Sequence, residues 1–237
     1  MYKVISFGSR CSSSDLIKLL NLKTESYPFD WLVSKLDVIK DCIETNFINF
    51  LDLNNYVVTT TETFNMTDCI KTHICNEGSH VNTYYEKYYK NNISTYDYKL
   101  LINHKYLNDN NNFEYYKRCI NRLYDLFNSD VKKYYIYFHH IMGLNDYENN
   151  KENIFNEFDN FSEYIITKTK NIFGLYFILI KHNHKQNIKS YKIKETSYYK
   201  IFIIYCNDDF IDAGRPFYGN CKIEEEEILS ILRLNLQ

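Results

Sequence analysis

The sequence predicts an α/β protein: a mostly parallel central sheet flanked by helices, with an antiparallel strand pair toward the C-terminus. Three observations predict it. Strand-like and helix-like segments alternate along the chain, the pattern of strand–helix–strand units. The runs 134–138, 175–180 and 201–205 are almost continuously apolar or aromatic, as strands covered on both faces must be. Residues 4–7 (Val-Ile-Ser-Phe) run through Gly8 straight into a helical pattern.

The first strand, 2–7, is expected in the interior of the sheet. Ser12 and Asp15 have the spacing of a capping box, so a helix is expected over 13–21. Ser34 and Asp37 repeat that spacing before a second helix at 35–49. Further strands are expected at 56–61, 97–103, 133–139, 174–181 and 199–206. A helix at 114–128 carries Tyr116, Cys119, Ile120, Leu123 and Leu126 at helical spacing. One at 151–171 does the same with Ile154, Phe155, Phe158, Phe161 and Ile165. The connection 182–198 is polar, which makes the last two strands an antiparallel pair or an annex. No repeat and no linker divides the chain. A single α/β domain over 1–237 is expected, with any small annex confined to 182–237.

Composition bounds the function classes. At 237 residues the chain can bury a full core. Asparagine, lysine, tyrosine and isoleucine are heavily used, Ala213 is the only alanine, and there are 2 prolines and 6 glycines. Those are the marks of an AT-rich genome, as in a large DNA virus or a protist. A net charge of −2 argues against an extended nucleic-acid footprint. The chain enters its first strand at once, so no signal peptide is expected, and the apolar run 172–180 is too short to span a bilayer. Seven cysteines fit no disulfide scaffold. An intracellular, reduced protein is expected, in the host cytoplasm if the source is viral.

Cys11 carries the most suggestive chemistry. It sits where the unpaired N–H groups and positive dipole end of a helix converge, the place where a thiol most readily becomes a nucleophilic thiolate. The same N–H groups can hold an oxyanion. The competing reading is a small buried hydrophobe, the default for a free cysteine.

Ser6-x-Gly8-x-x-Cys11 at the end of a first strand, with Pro28-Phe29-Asp30-Trp31 some twenty residues on, resembles a family of unknown function described as papain-like cysteine peptidases. The likeness is close over 4–51 and looser to about residue 140. There, 116–123 (Tyr-Lys-Arg-Cys-Ile-Asn-Arg-Leu) looks like the family's basic helix. The resemblance implies Cys11 as nucleophile and a later histidine, usually followed by Asp-Phe, as base. The counterpart here is His104, followed instead by Lys105-Tyr106. A papain scaffold places its cysteine on a long helix with no parallel strand leading into it. This chain looks instead like a sheet carrying its site at the strand ends, so "papain-like" is taken to describe residue roles.

On that layout Cys11 follows the first strand, His104 the third, and His139-His140 closes the fourth. His104 is the expected base, with His139 and His140 in reserve; a buried core imidazole is the simpler reading of one of that pair. Asp30 can orient the base as the third member of a triad or cap the turn after Pro28. Ser6 and Ser9, with the Cys11 amide, are candidate oxyanion donors. Trp31, the only tryptophan, reads as core or pocket wall.

Cys69, His73, Cys75 and His80 offer four zinc ligands within twelve residues, but their spacing matches no standard finger or ribbon. No metal and no cofactor is expected. Cys42, Cys119 and Cys206 read as core. The expected function is a cysteine hydrolase or acyltransferase acting on a protein, peptide or other acyl substrate, with no membrane partner. The alternative is a non-catalytic interaction protein on the same fold, supported by the altered sequence after His104. RNA contact through 181–200, where six lysines interleave with tyrosines, is weaker than a solvated loop as an account of that stretch.

Overall fold

The structure is a computed structural model and describes residues 1–8, 11–58, 80–88, 101–102, 105–141, 143–181, 190–206 and 222–236. Its main sheet has five strands: β1 (Tyr2–Ser6), β6 (Lys132–Ile141), β7 (Ile172–Lys181), β9 (Tyr199–Cys206) and β8 (Ser190–Glu195), in that spatial order. The first four run parallel, and β8 lies antiparallel to β9. The α/β class and the C-terminal antiparallel pair are therefore as expected, although the pair differs in detail. The predicted strands 174–181 and 199–206 are parallel neighbours, and the antiparallel member is β8. Hidden in the polar connection, β8 is largely exposed at the sheet edge and carries no apolar run.

β1 is not interior. Among the described residues it pairs with β6 alone and forms an edge. Lys3 is half-buried there, its Nζ donating to Thr24 Oγ1 at 2.9 Å, a residue type common on protected edges. A second, antiparallel sheet has the order β2 (Leu32–Val33), β5 (Leu101–Ile102), β4 (His80–Asn82), β3 (Tyr56–Val58). It takes the segments expected at 56–61 and 97–103, because strands of two or three residues cannot supply a two-faced core.

Alternating side chains divide the core into two layers. On one face Ile5, Phe7, Tyr135, Tyr137, Tyr176 and Ile178 pack against α2 (Leu36–Glu44), α3 (Ile48–Leu51), α4 (Asn110–Phe127) and α5 (Leu144–Lys168). On the other, Val4, Ile136, Phe138, Phe177 and Ile204 meet α1 (Cys11–Leu19) and α6 (Lys222–Asn235). Sequence reading missed α6, whose acidic first turn and Ile228, Ile231 and Leu232 at helical spacing were the available signal. No helix of the described residues is long and apolar enough to cross a membrane.

Both expected capping boxes dissolve. α1 starts at Cys11, which puts Ser12 inside its first turn. α2 follows Lys35, whose side chain makes no capping bond, while Ser34 Oγ donates to Phe7 O at 3.5 Å. The helix expected over 35–49 breaks where Asn46 and Phe47 turn left-handed (φ 52° and 59°) and the Phe47 amide donates to Cys42 O at 2.7 Å. That double return is a Schellman-like stop. A bulky residue at positive φ is unusual, and Phe47 is held there by its packing against Phe29, Phe50 and Tyr124.

At the amino edge of the sheet the fully buried Lys133 donates to the carbonyls of Ser129, Val131 and Lys170 at 2.6, 2.9 and 3.0 Å. Burial lowers its pKa, against the pull of Asp130. Nearby, Thr169 Oγ1 donates to Phe127 O at 2.7 Å, tying the end of α5 to the end of α4.

Gly174 stands opposite Tyr135 in register, and a Cβ there would lie 2.4 Å from the Tyr135 ring. The ring cannot yield freely, because its hydroxyl bonds Ser162 Oγ at 2.9 Å and the Tyr176 hydroxyl at 2.7 Å. Gly174→Ala should therefore lower stability by about 1–3 kcal/mol, the usual range for overpacking. Adding Tyr135→Leu should recover part of that loss. Urea denaturation of the single and double variants reads both; a neutral Gly174→Ala would show that the ring is not the constraint.

Candidate active site

β1 ends one turn short of Cys11. Gly8 bends the chain at φ +77°, and a Cβ on it would meet Ser34 Oγ at 3.1 Å, Phe29 O at 3.3 Å and Leu32 O at 3.5 Å. Positive φ and close packing both demand glycine here. Cys11 then opens α1, a helix of nine residues. Residues 9–10, with Ser9, the side chains of Cys11 and Ser12, and His104 lie outside the described residues. Ser6 and Ser13 are buried, and their hydroxyls meet at 2.5 Å across the strand and helix.

The Pro-Phe-Asp-Trp segment is folded against this turn. Phe29 packs on Phe7 and Phe47. Asp30 is 1 % exposed. Its Oδ2 accepts from Lys23 Nζ at 2.5 Å and from the Tyr27 amide at 2.8 Å, while its Oδ1 has no hydrogen-bond partner among the described residues. Lys23 also donates to Ser14 Oγ at 2.6 Å, and Ser14 lies one turn along α1 from Cys11. Burial raises the Asp30 pKa; the Lys23 charge and hydrogen bond, the Tyr27 amide and Ser14 oppose that rise. Trp31 is half-buried, with Lys23 Nζ 5.6 Å from its ring centroid. It is a wall and not part of the core. Lys23 and Ser14 were not anticipated from sequence, since nothing in Leu22-Lys23-Thr24 marks a lysine that turns inward.

The two reserve histidines point to opposite faces of β6. His139 lies edge-on to Phe158 at 5.9 Å in the α5 layer, and its Nε2 has no hydrogen-bond partner among the described residues. Burial, aided by the Lys35 charge, lowers its pKa to about 3, so it is neutral at ordinary pH. His140 alternates onto the face of Ile136 and Phe138, the face that α1 covers, and stands opposite Leu179 of β7. It is 2 % exposed. Of the pair, only His140 shares a layer with the helix that Cys11 begins. On the other side of the Gly8 turn, β5 ends at Ile102, opposite Leu32 of β2.

Three other thiols are buried core groups, as the sequence suggested. Cys42 donates to the Tyr85 hydroxyl at 3.1 Å, and burial pushes its pKa far up. Burial also raises Cys119, and Cys206 lies beneath α6. Of the four weighed zinc ligands, Cys69, His73 and Cys75 lie outside the described residues. His80 stacks on Tyr106 at 4.3 Å. Among the described residues no three His, Cys, Asp or Glu side chains are grouped to hold a metal ion.

A family model with the description "Putative papain-like cysteine peptidase (DUF1796)" matches residues 2–187. The chain belongs to this family. The match takes in Cys11, Asp30, His104, His139 and His140 and stops before β8. No curated protein matches the chain, and no solved structure does. In this member of the papain-like family the cysteine therefore sits at a strand-to-helix junction of a parallel sheet, with the Pro-Phe-Asp-Trp carboxylate buried beside the same helix.

His139 makes a pH prediction. Its folded pKa near 3 lies below the ordinary 6.5, so between those values the unfolded chain binds the extra proton. Its contribution to stability is then full above about pH 6.5 and is lost as pH falls toward 3. His139→Phe, which keeps a ring against Phe158, should flatten the stability loss between pH 6.5 and 4.5 by about 2–3 kcal/mol. Urea midpoints at the two pH values measure it; an unchanged acid slope would mean that His139 is protonated in the fold.

Proposed function

We propose that the protein is a cysteine hydrolase or acyltransferase acting on a peptide or other acyl substrate, with Cys11 as nucleophile, His104 as base and Asp30 as the group that orients the base. The observation that carries this reading is Asp30. A buried carboxylate with one oxygen fixed by two donors and the other unpartnered has the form of a group waiting to accept an imidazole N–H. It lies beside Ser14, one turn along the helix that Cys11 begins. Pairing of β5 with β2 runs the chain that precedes His104 alongside the chain that follows Asp30, which supports His104 over its alternatives. Family membership supports the nucleophile.

The chemistry follows from that layout. The imidazole takes the Cys11 proton, and the thiolate attacks the acyl carbonyl, forming a C–S bond and a tetrahedral oxyanion. Amides at the start of α1 stabilise that charge. Ser6 can add a donor when Ser13 supplies the proton between their hydroxyls, and Ser9 is the further candidate. The imidazolium then protonates the leaving group as its bond to carbon breaks. Water, or an acceptor nucleophile, gives up its proton to the imidazole and cleaves the thioester, restoring the thiol.

A non-catalytic interaction protein is the second reading. Lys105 and Tyr106, which stand in place of the family's usual Asp-Phe, have other work. The Lys105 ammonium sits 3.5 Å from the Tyr115 ring centroid, and Tyr106 stacks on His80.

Alkylation separates the two. At about pH 6, where an ordinary thiol is protonated, iodoacetamide should label Cys11 before any other cysteine, and His104→Ala should slow that labelling about tenfold. His140→Ala should leave it unchanged. Mass spectrometry after brief exposure reads the sites. If the rate follows His140 instead, the base is on β6; if Cys11 reacts no faster than Cys221, the interaction reading replaces the enzyme.

A further inference from the structure

An open cleft of about 410 Å³ lies on the outer side of Lys23, and none of the chemistry above uses it. Lys18, Lys23 and Arg122 line it with Ser26, Glu25 and the half-buried Trp31. Its charges are not equally available. Lys23 is committed to Asp30 and Ser14. Glu25 is engaged by Lys3 at 3.6 Å and by the Tyr27 hydroxyl at 3.4 Å. Lys18, in the last turn of α1, and Arg122, on α4, make no ion pair among the described residues. In a chain of net charge −2 the cleft therefore presents, beside an aromatic wall, two cations that pair with no carboxylate among the described residues. Its volume lies at the small end of the range for ligand pockets.

We propose that this cleft is a specificity pocket for a carboxylate of the peptide substrate, either an acidic side chain or a C-terminus, held by Arg122 and Lys18 with the aliphatic stem against Trp31. Arginine suits the task because its planar fork matches a carboxylate. The position relative to the nucleophile follows from helix geometry. Lys18 is seven residues along α1 from Cys11, a rise of about 10 Å, and an extended peptide covers that span in about three residues. The bound carboxylate thus belongs about three residues from the bond that Cys11 attacks. That distance rests on the proposed Cys11 chemistry, whereas binding of the carboxylate does not.

Trp31 is the only tryptophan, so its fluorescence reports on the cleft without reference to turnover. The titration uses the full chain carrying Cys11→Ser and three acetylated hexapeptides. One is amidated with a central glutamate, one is the same with glutamine, and one is the glutamine peptide with a free C-terminus. Saturable change in emission is expected with the glutamate peptide, the free C-terminus peptide, or both, which tells the two carboxylate sources apart. The amidated glutamine peptide should bind at least tenfold more weakly. Lys18→Gln, at an exposed helix position, and Arg122→Gln should each weaken carboxylate binding several-fold, and Arg122→Lys should recover part of it. The proposal is overturned if the glutamine amide binds as well as both carboxylate-bearing peptides, if neither substitution weakens binding, or if inorganic phosphate alone saturates the signal as tightly. Binding that persists when Cys11 shows no special alkylation rate would leave the pocket standing and remove the hydrolase.

Discussion

At Gly8 the backbone turns through a positive φ while the Phe29 and Leu32 carbonyls and the Ser34 hydroxyl close to within 3.1–3.5 Å of where a side chain would begin. The end of β1 and the Pro-Phe-Asp-Trp segment can share that space only because residue 8 has none of its own. Several placements depend on this contact. It seats Phe29 on Phe7, and it sets the carboxylate of Asp30 below the first turns of α1. It also leads the chain into β2, whose partner β5 ends just before His104. An edge strand, a glycine turn and a proline-fixed bend are thereby joined into one unit around the start of α1.

The sheet sorts the chemistry that the sequence could only place side by side. Adjacent residues on a strand face opposite layers, so His139-His140 delivers one imidazole to each. The layer holding α4 and α5 is aromatic, and burial in it between Phe158 and Tyr137 keeps His139 neutral. His140 enters the layer of α1. The acidic partner follows the same logic of selective burial. Lys23 compensates one oxygen of Asp30 and leaves the other unpartnered, and the cost of burying that carboxylate is visible in its raised pKa.

Legibility from sequence tracked the strength of the local signal. The long strands β6, β7 and β9 were evident because burial on both faces writes itself as an unbroken apolar run. The helices α4 and α5 were evident from periodicity, although α5 begins seven residues before the expected 151 in a polar stretch. β8 escaped because an exposed edge strand carries no such run. The interior placement of β1 failed because a strand covered on both faces reads, in sequence, much the same whether it is paired on one side or on two. Ser34 and Asp37 have a capping spacing, yet tertiary packing drew the Ser34 hydroxyl to Phe7 O instead. At the candidate site Cys11 and Asp30 were readable from motif and turn chemistry. Lys23 and Arg122 were not, since an inward or cleft-lining cation looks like any surface charge until the chain is folded.

Lys133 has a consequence for how this molecule comes apart. Its ammonium gathers the carbonyls of Ser129, Val131 and Lys170, and Thr169 bonds Phe127 beside it. The exits of α4 and α5 and the entries of β6 and β7 thus converge on one buried charge. If either helix end detaches, the lysine keeps its charge in a place without water, so partial opening there gains little and total opening is favoured. The amino edge of the sheet should behave as a single cooperative knot.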